Sequence, residues 1–170
     1  MLASVDLCGM LDRRAVDARR LGTATSNDER NIKMKRLSDE LTVSPQMPLA
    51  AIDEIAAAGF KTIICNRPDG EDPGQPSFSE VAAKAEAAGM KAIFQPVASG
   101  NVSDADADAF AANLAAAEKP IFAYCRSGTR CTILWSLANA GQMQVGDIVK
   151  AAAEAGYDMA PLAPRIAARG

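Results

Sequence analysis

The chain contains no histidine. That absence removes the imidazole base, and with it Ser-His-Asp and Cys-His nucleophile pairs and His-containing zinc sites. A nucleophile in this chain has to be activated by fields and hydrogen bonds. Basic residues form no stripe: the net charge is −3 and the pI about 5.0, which argues against general nucleic-acid binding. No apolar run approaches the ~20 residues of a membrane span, so no membrane association is expected. The four cysteines, Cys8, Cys65, Cys125 and Cys131, form no CxxC pair and no metal-like spacing. No secretory signal is recognisable, so the thiols are expected to be reduced and the location cytoplasmic.

What is there is one domain's worth of chain. Its 170 residues are 49% apolar and 23% charged, enough to bury a sizeable core. Residues 1–33 differ from the rest. Arg13, Arg14, Arg19 and Arg20 interleave with Asp12 and Asp17, and Gly22 to Arg30 is linker-like. They are read as a flexible extension, with 34–170 as the domain.

From Leu37 onward, apolar runs alternate with helical spacing. Leu37–Ser44 predicts a strand or hairpin edge. Pro48 opens a helix stopped by Gly59, and Lys61–Cys65 is a buried strand. Asn66 to Pro76 is a long polar loop. Ser77 or Ser79 caps a helix to Ala88, Met90–Val97 is a strand, and Ser103 caps a helix to Ala117. The strand Pro120–Tyr124 follows, then the Cys125 loop and its helix. A helix over Val145–Ala155 and a short one broken by Pro161 and Pro164 close the chain. The order implies an α/β fold, a mostly parallel sheet flanked by helices on both faces. Sites in such sheets form beyond the carboxyl ends of the strands. The residues from Asn66 to Asp72, from Ala98 to Asn101 and around Cys125 are therefore expected at one rim.

The centre of the chain is Pro120-Ile-Phe-Ala-Tyr-Cys125-Arg126-Ser127-Gly128-Thr129-Arg130-Cys131. A strand ends at a cysteine, and a glycine-bearing loop leads into a helix N-terminus. Successive N–H groups in such a loop, the orphan N–H groups of the helix and its dipole together form an anion cradle. A thiol held there is stabilised as thiolate, the nucleophilic form. Arg130 offers a planar fork of donors to an oxyanion or a sulfur-bearing anion, and Arg126 steers the incoming anion. Asn66 and Arg67, from the polar loop, join Ser127, Gly128, Thr129 and Cys131 as expected anion-binding residues. Asp104, Asp106 and Asp108 spread over different faces of a helix start, so neither metal nor cofactor is expected. Trp135 is expected in the core.

Three segments carry a resemblance. Leu37-Ser-Asp-Glu-Leu41, Ala58-Gly-Phe-Lys-Thr-Ile-Ile-Cys-Asn-Arg-Pro-Asp-Gly-Glu71 and Tyr124-Cys-Arg-Ser-Gly-Thr-Arg130 resemble the phosphatase-like domain of the beta-lactamase-hydrolase-like proteins, whose members are also described as sulfur transferases. The similarity covers about residues 35–165. It implies the fold of the dual-specificity and tyrosine phosphatases, and places the strand ending at Cys65 beside the one ending at Cys125.

The loop departs from the cysteine-phosphatase pattern His-Cys-x5-Arg. Here four residues separate Cys125 from Arg130, and Tyr124 stands before the cysteine. The shorter loop and the preceding Tyr resemble rhodaneses. A tighter ring has fewer donors for a phosphoryl group and suits a single persulfide sulfur. The first expectation is therefore a cysteine-dependent sulfur transferase that takes sulfur from thiosulfate or a persulfide onto Cys125. Sulfide-oxidation enzymes such as a persulfide dioxygenase would be its partners. The alternative is a phosphomonoester phosphatase, with Asp69 as general acid. A third reading is a thiol- or anion-sensing module, with Cys65 or Cys131 resolving an oxidised Cys125.

Overall fold

The computed structural model describes residues 32–170; the expected extension lies almost wholly outside them. The strands are β1 (Lys35–Arg36), β2 (Leu41–Ser44), β3 (Thr62–Cys65), β4 (Lys91–Phe94) and β5 (Ile121–Tyr124). The helices are α1 (Ala51–Ala57), α2 (Phe78–Ala87), α3 (Asp104–Ala116), α4 (Thr129–Ala138), α5 (Val145–Glu154) and α6 (Ala163–Arg169). The strands form a sheet in the order β1-β2-β5-β3-β4, in which only the β1–β2 pair is antiparallel.

The expected parallel α/β fold is what forms. β3 and β5 are buried at every position, as continuous apolar strands in the middle of a parallel sheet must be. Alternation along β5 divides the core. Phe122 and Tyr124 face α1 and α2 together with Ile63 and Cys65. Ala123 and Cys125 face α3–α6 together with Phe110, Leu134, Trp135 and Ile166. Leu37–Ser44 supplies the turn and second strand of a hairpin that begins at Lys35, and that second strand is interior, because β2 pairs β5 on its other side. The Met90–Val97 strand is shorter than expected and ends at Phe94, two residues before Pro96.

Helix termini follow local chemistry. Ser77 and Ser103 each close a capping box, with Glu80 and Asp106 respectively. Asp104 and Asp108 pair with Arg165 and Arg169 of α6. The acidic triplet thus caps and pairs, and no metal-binding group occurs among the described residues. No helix among them is long and apolar enough to cross a membrane.

Candidate active site

The parallel register aligns Ser44, Tyr124, Cys65 and Phe94 at one edge of the sheet. The loops leaving β3 and β5 meet there, as expected. The third loop contributes Gln95 and the Val97 carbonyl rather than Ala98–Asn101.

The β5–α4 loop turns back through Gly128, whose φ of 88° lies in the left-handed region that glycine occupies freely. This turn aims the Gly128 N–H at Cys125 Sγ, 3.1 Å away. Cys125 is buried, 1% exposed. Its thiol is nonetheless held well below the ordinary range, at about 5. The leading cause is a hydrogen bond from the Cys131 thiol; burial opposes it, and the N–H groups of Cys131, Ser127 and Gly128 add to it. Cys131 is driven the other way, well above its usual value, by burial first and by its bond to Cys125. The pair therefore holds one negative charge, on Cys125. Cys131 reaches the thiolate and the loop it was expected to join, but as donor to sulfur.

Arg130 is 6% exposed. Its Nη1 donates to the Val97 carbonyl at 2.7 Å and lies 2.9 Å from Glu71 Oε1; its Nη2 donates to Glu71 Oε2 at 3.0 Å. Among the described residues its Nε–H takes no acceptor. Glu71 also accepts from Arg67 Nε at 2.9 Å. The Arg130 hydrogen bond, ahead of the one from Arg67, holds the Glu71 carboxyl below its usual range against the effect of burial.

Two expected anion ligands are corrected. Arg67 is buried, and its guanidinium is taken up by Glu71, Asp72 and Gln46, so it braces the loop instead of meeting substrate. Asn66 is fully buried and gives its amide to the Gln95 carbonyl at 3.1 Å, leaving an oxygen acceptor that an anion would not approach. Arg126 remains exposed beside Asp72 at 3.3 Å, which suits steering. The Ser127 and Thr129 hydroxyls bond each other at 3.0 Å at the exposed lip of the loop.

Asp69 lies on the same polar loop and accepts the Phe78 N–H of α2 at 2.8 Å. It is the exposed carboxylate of the loop without an arginine partner, since Glu71 and Asp72 are both paired. Cys65 is turned to the α1/α2 face, where its thiol donates to the Arg67 carbonyl at 3.2 Å and is raised by burial. It is a core thiol on the face opposite Cys125. A cleft of about 550 Å³ opens beside Arg126 between Met47–Leu49 and Pro73–Pro76. A larger groove, about 730 Å³, lies at the other end of the sheet, by the hairpin and the end of α4, away from Cys125.

Sequence reasoning passed over Glu71 as a site residue, although the Pro68-Asp-Gly-Glu71 motif contains it. It also passed over Tyr157, which donates to the Ser127 carbonyl at 3.1 Å.

A model of the phosphatase-like domain of beta-lactamase hydrolase-like proteins matches residues 33–142. The chain belongs to this family. It is 40% identical over 130 residues to the beta-lactamase hydrolase-like protein of Agrobacterium fabrum, a match covering 75% of this chain and 30% of that protein. The chain thus spans less than a third of the length of the curated relatives it matches. Among solved structures, a candidate phosphatase of Neisseria meningitidis Z2491 is 36% identical, with a TM-score of 0.75 over 82% of this chain and all of that one. Kinase-associated phosphatase, 12% identical, superposes with a TM-score of 0.65 over 84% of this chain and 94% of its own, a likeness of fold. The fold is that of the cysteine phosphatases, and the rhodanese resemblance rests on the short Cys125 loop and Tyr124 before it.

Proposed function

We propose that the chain is a cysteine-dependent phosphomonoester hydrolase. The observation that carries this reading is the buried Cys125 thiolate, held by N–H donors of the loop that runs into α4. The phosphatase-like family and structural neighbours support it over sulfur transfer, the first expectation from loop length.

In the proposed reaction Sγ attacks phosphorus in line with the leaving oxygen. The S–P bond forms as the P–O bond breaks, and Asp69 donates its proton to the departing oxygen. The loop N–H groups and Arg130 stabilise the charge on the equatorial oxygens. Asp69, now a carboxylate, then takes a proton from water as its oxygen attacks phosphorus. Phosphate leaves and the thiolate is restored.

Sulfur transfer remains the second reading, on the single observation that four residues separate Cys125 from Arg130. There the thiolate would attack the outer sulfur of thiosulfate and release sulfite, and an acceptor thiolate would remove the sulfane sulfur. A side-by-side assay with an aryl phosphate and with thiosulfate, followed by mass spectrometry of the Cys125 peptide, decides between them. The proposal expects phosphate release lost in Cys125→Ser; an added sulfur on Cys125 without phosphate release would reverse the order.

A further inference from the structure

The Ser127–Gly128 peptide is the weak point of the cradle. Its N–H faces Cys125 Sγ. Because a trans peptide is planar, its carbonyl points the opposite way. Glycine tolerates either hand of φ, so rotating this peptide costs little locally. A flip would replace a donor to the thiolate with the negative end of a carbonyl dipole.

One side chain opposes that flip. Tyr157, in the connection after α5, donates its phenolic O–H to the Ser127 carbonyl at 3.1 Å. The fit is close, since a Cβ on Gly128 would lie 2.0 Å from the phenol oxygen. Burial first, and then the negative charge on Cys125, push the phenol up to about 12, so it stays protonated and donating near neutral pH. Tyr157 lies beyond residue 142, where the matched family segment ends.

We propose that Tyr157 is a positioning residue whose hydroxyl locks the Ser127–Gly128 peptide with its N–H toward Cys125. The proposal rests on Cys125 being a thiolate nucleophile and is independent of which group is transferred. Tyr157→Phe keeps the ring and removes the lock. Alkylation of Cys125 by iodoacetamide against pH, read by peptide mass spectrometry, needs no substrate. Its midpoint should rise by about one pH unit in Tyr157→Phe, as one hydrogen bond to a charged group weakens. kcat should fall about 10–100-fold with KM nearly unchanged, the mark of a contact that matters in the transition state.

An unchanged midpoint in Tyr157→Phe overturns the proposal, and so does a shift seen only in Tyr157→Ala, which would assign the effect to ring packing. In the unaltered protein the Gly128 amide resonance should move with the Cys125 titration and be protected from exchange. An exposed Gly128 amide blind to that titration overturns the proposal without any variant. A shifted midpoint in a protein that releases no phosphate would sink the phosphatase reading and leave this one standing.

Discussion

Cys131 is a thiol whose use depends on a single proton. It keeps that proton, donates it as a hydrogen bond to Cys125, and is itself held neutral by complete burial. Cys131→Ser keeps a donor, so the pH profile of Cys125 alkylation should stay near its midpoint of about 5. Cys131→Ala removes the leading stabiliser, and the midpoint should rise by about one unit or more. The sign follows from the direction of the shift: reactivity is lost as pH falls through the depressed value and is flat above it. Equal midpoints in the two variants would show that the backbone N–H groups alone set the thiolate. The turn of the Cys125 loop at Gly128 and the helix after it were legible in the sequence, because strand, glycine turn and helix are contiguous. The fate of Arg67 was not, since its partners Gln46 and Asp72 reach it only through the tertiary fold.

At the scale of elements, the β3–α2 loop is tied to the β5–α4 loop by ion pairs. Arg130–Glu71, Glu71–Arg67, Arg67–Asp72 and Asp72–Arg126 run in a chain from the first turn of α4, through the β3–α2 loop, to Arg126 of the β5–α4 loop. Removing the shared carboxylate by Glu71→Gln leaves two buried guanidinium groups short of charge. We expect a loss of about 3 kcal/mol in urea unfolding; a change under about 0.5 kcal/mol would mean the chain of charges is decorative. Glu71 has a depressed folded pKa, so its contribution is complete above the ordinary carboxylate range and is lost as pH falls through the lower folded value. The variant should therefore lose less stability than the wild type on acidification below about pH 4.3.

The same loop presents Asp69. Asp69→Asn keeps an oxygen for the Phe78 N–H, so stability should barely move. Turnover of alkyl phosphates should drop about 10²–10⁴-fold, and that of aryl phosphates with good leaving groups much less. Equal losses on both substrates would assign the acid role elsewhere. The sequence showed the loop and its carboxylates but not their division of labour. That division depends on which arginine each one meets across the sheet edge.

For the whole molecule, the two faces of the sheet differ: α1 and α2 cover a side whose apolar core includes Cys65 and Tyr124, and α3–α6 cover the side holding the Cys125–Cys131 pair. Helix order and sheet direction were readable from apolar spacing, whereas the partition of cysteines between faces needed the register. Ile32 packs partly buried against the α1/α2 side. A chain beginning at Ile32 should match the full chain in thermal stability and activity. One beginning at Met34 should keep activity and lose about 1 kcal/mol, for a half-buried side chain. A larger loss from the Ile32 start would show that residues before it pack on the domain.

The strand order has a consequence for biosynthesis. β5 lies between β2 and β3, with Ile121 registered against both Leu41 and Thr62. A nascent chain that has emerged only as far as β4 therefore holds two separate strand pairs, β1–β2 and β3–β4, which are joined only when β5 pairs with both β2 and β3. These pairings join residues far apart in sequence, the kind of topology that folds slowly. No reactive thiolate can arise on the ribosome before α4 is out, because α4 and its loop supply the donors that lower the Cys125 pKa. Until then the cysteine is an ordinary thiol, and the chain acquires its thiolate only in the act of closing its sheet.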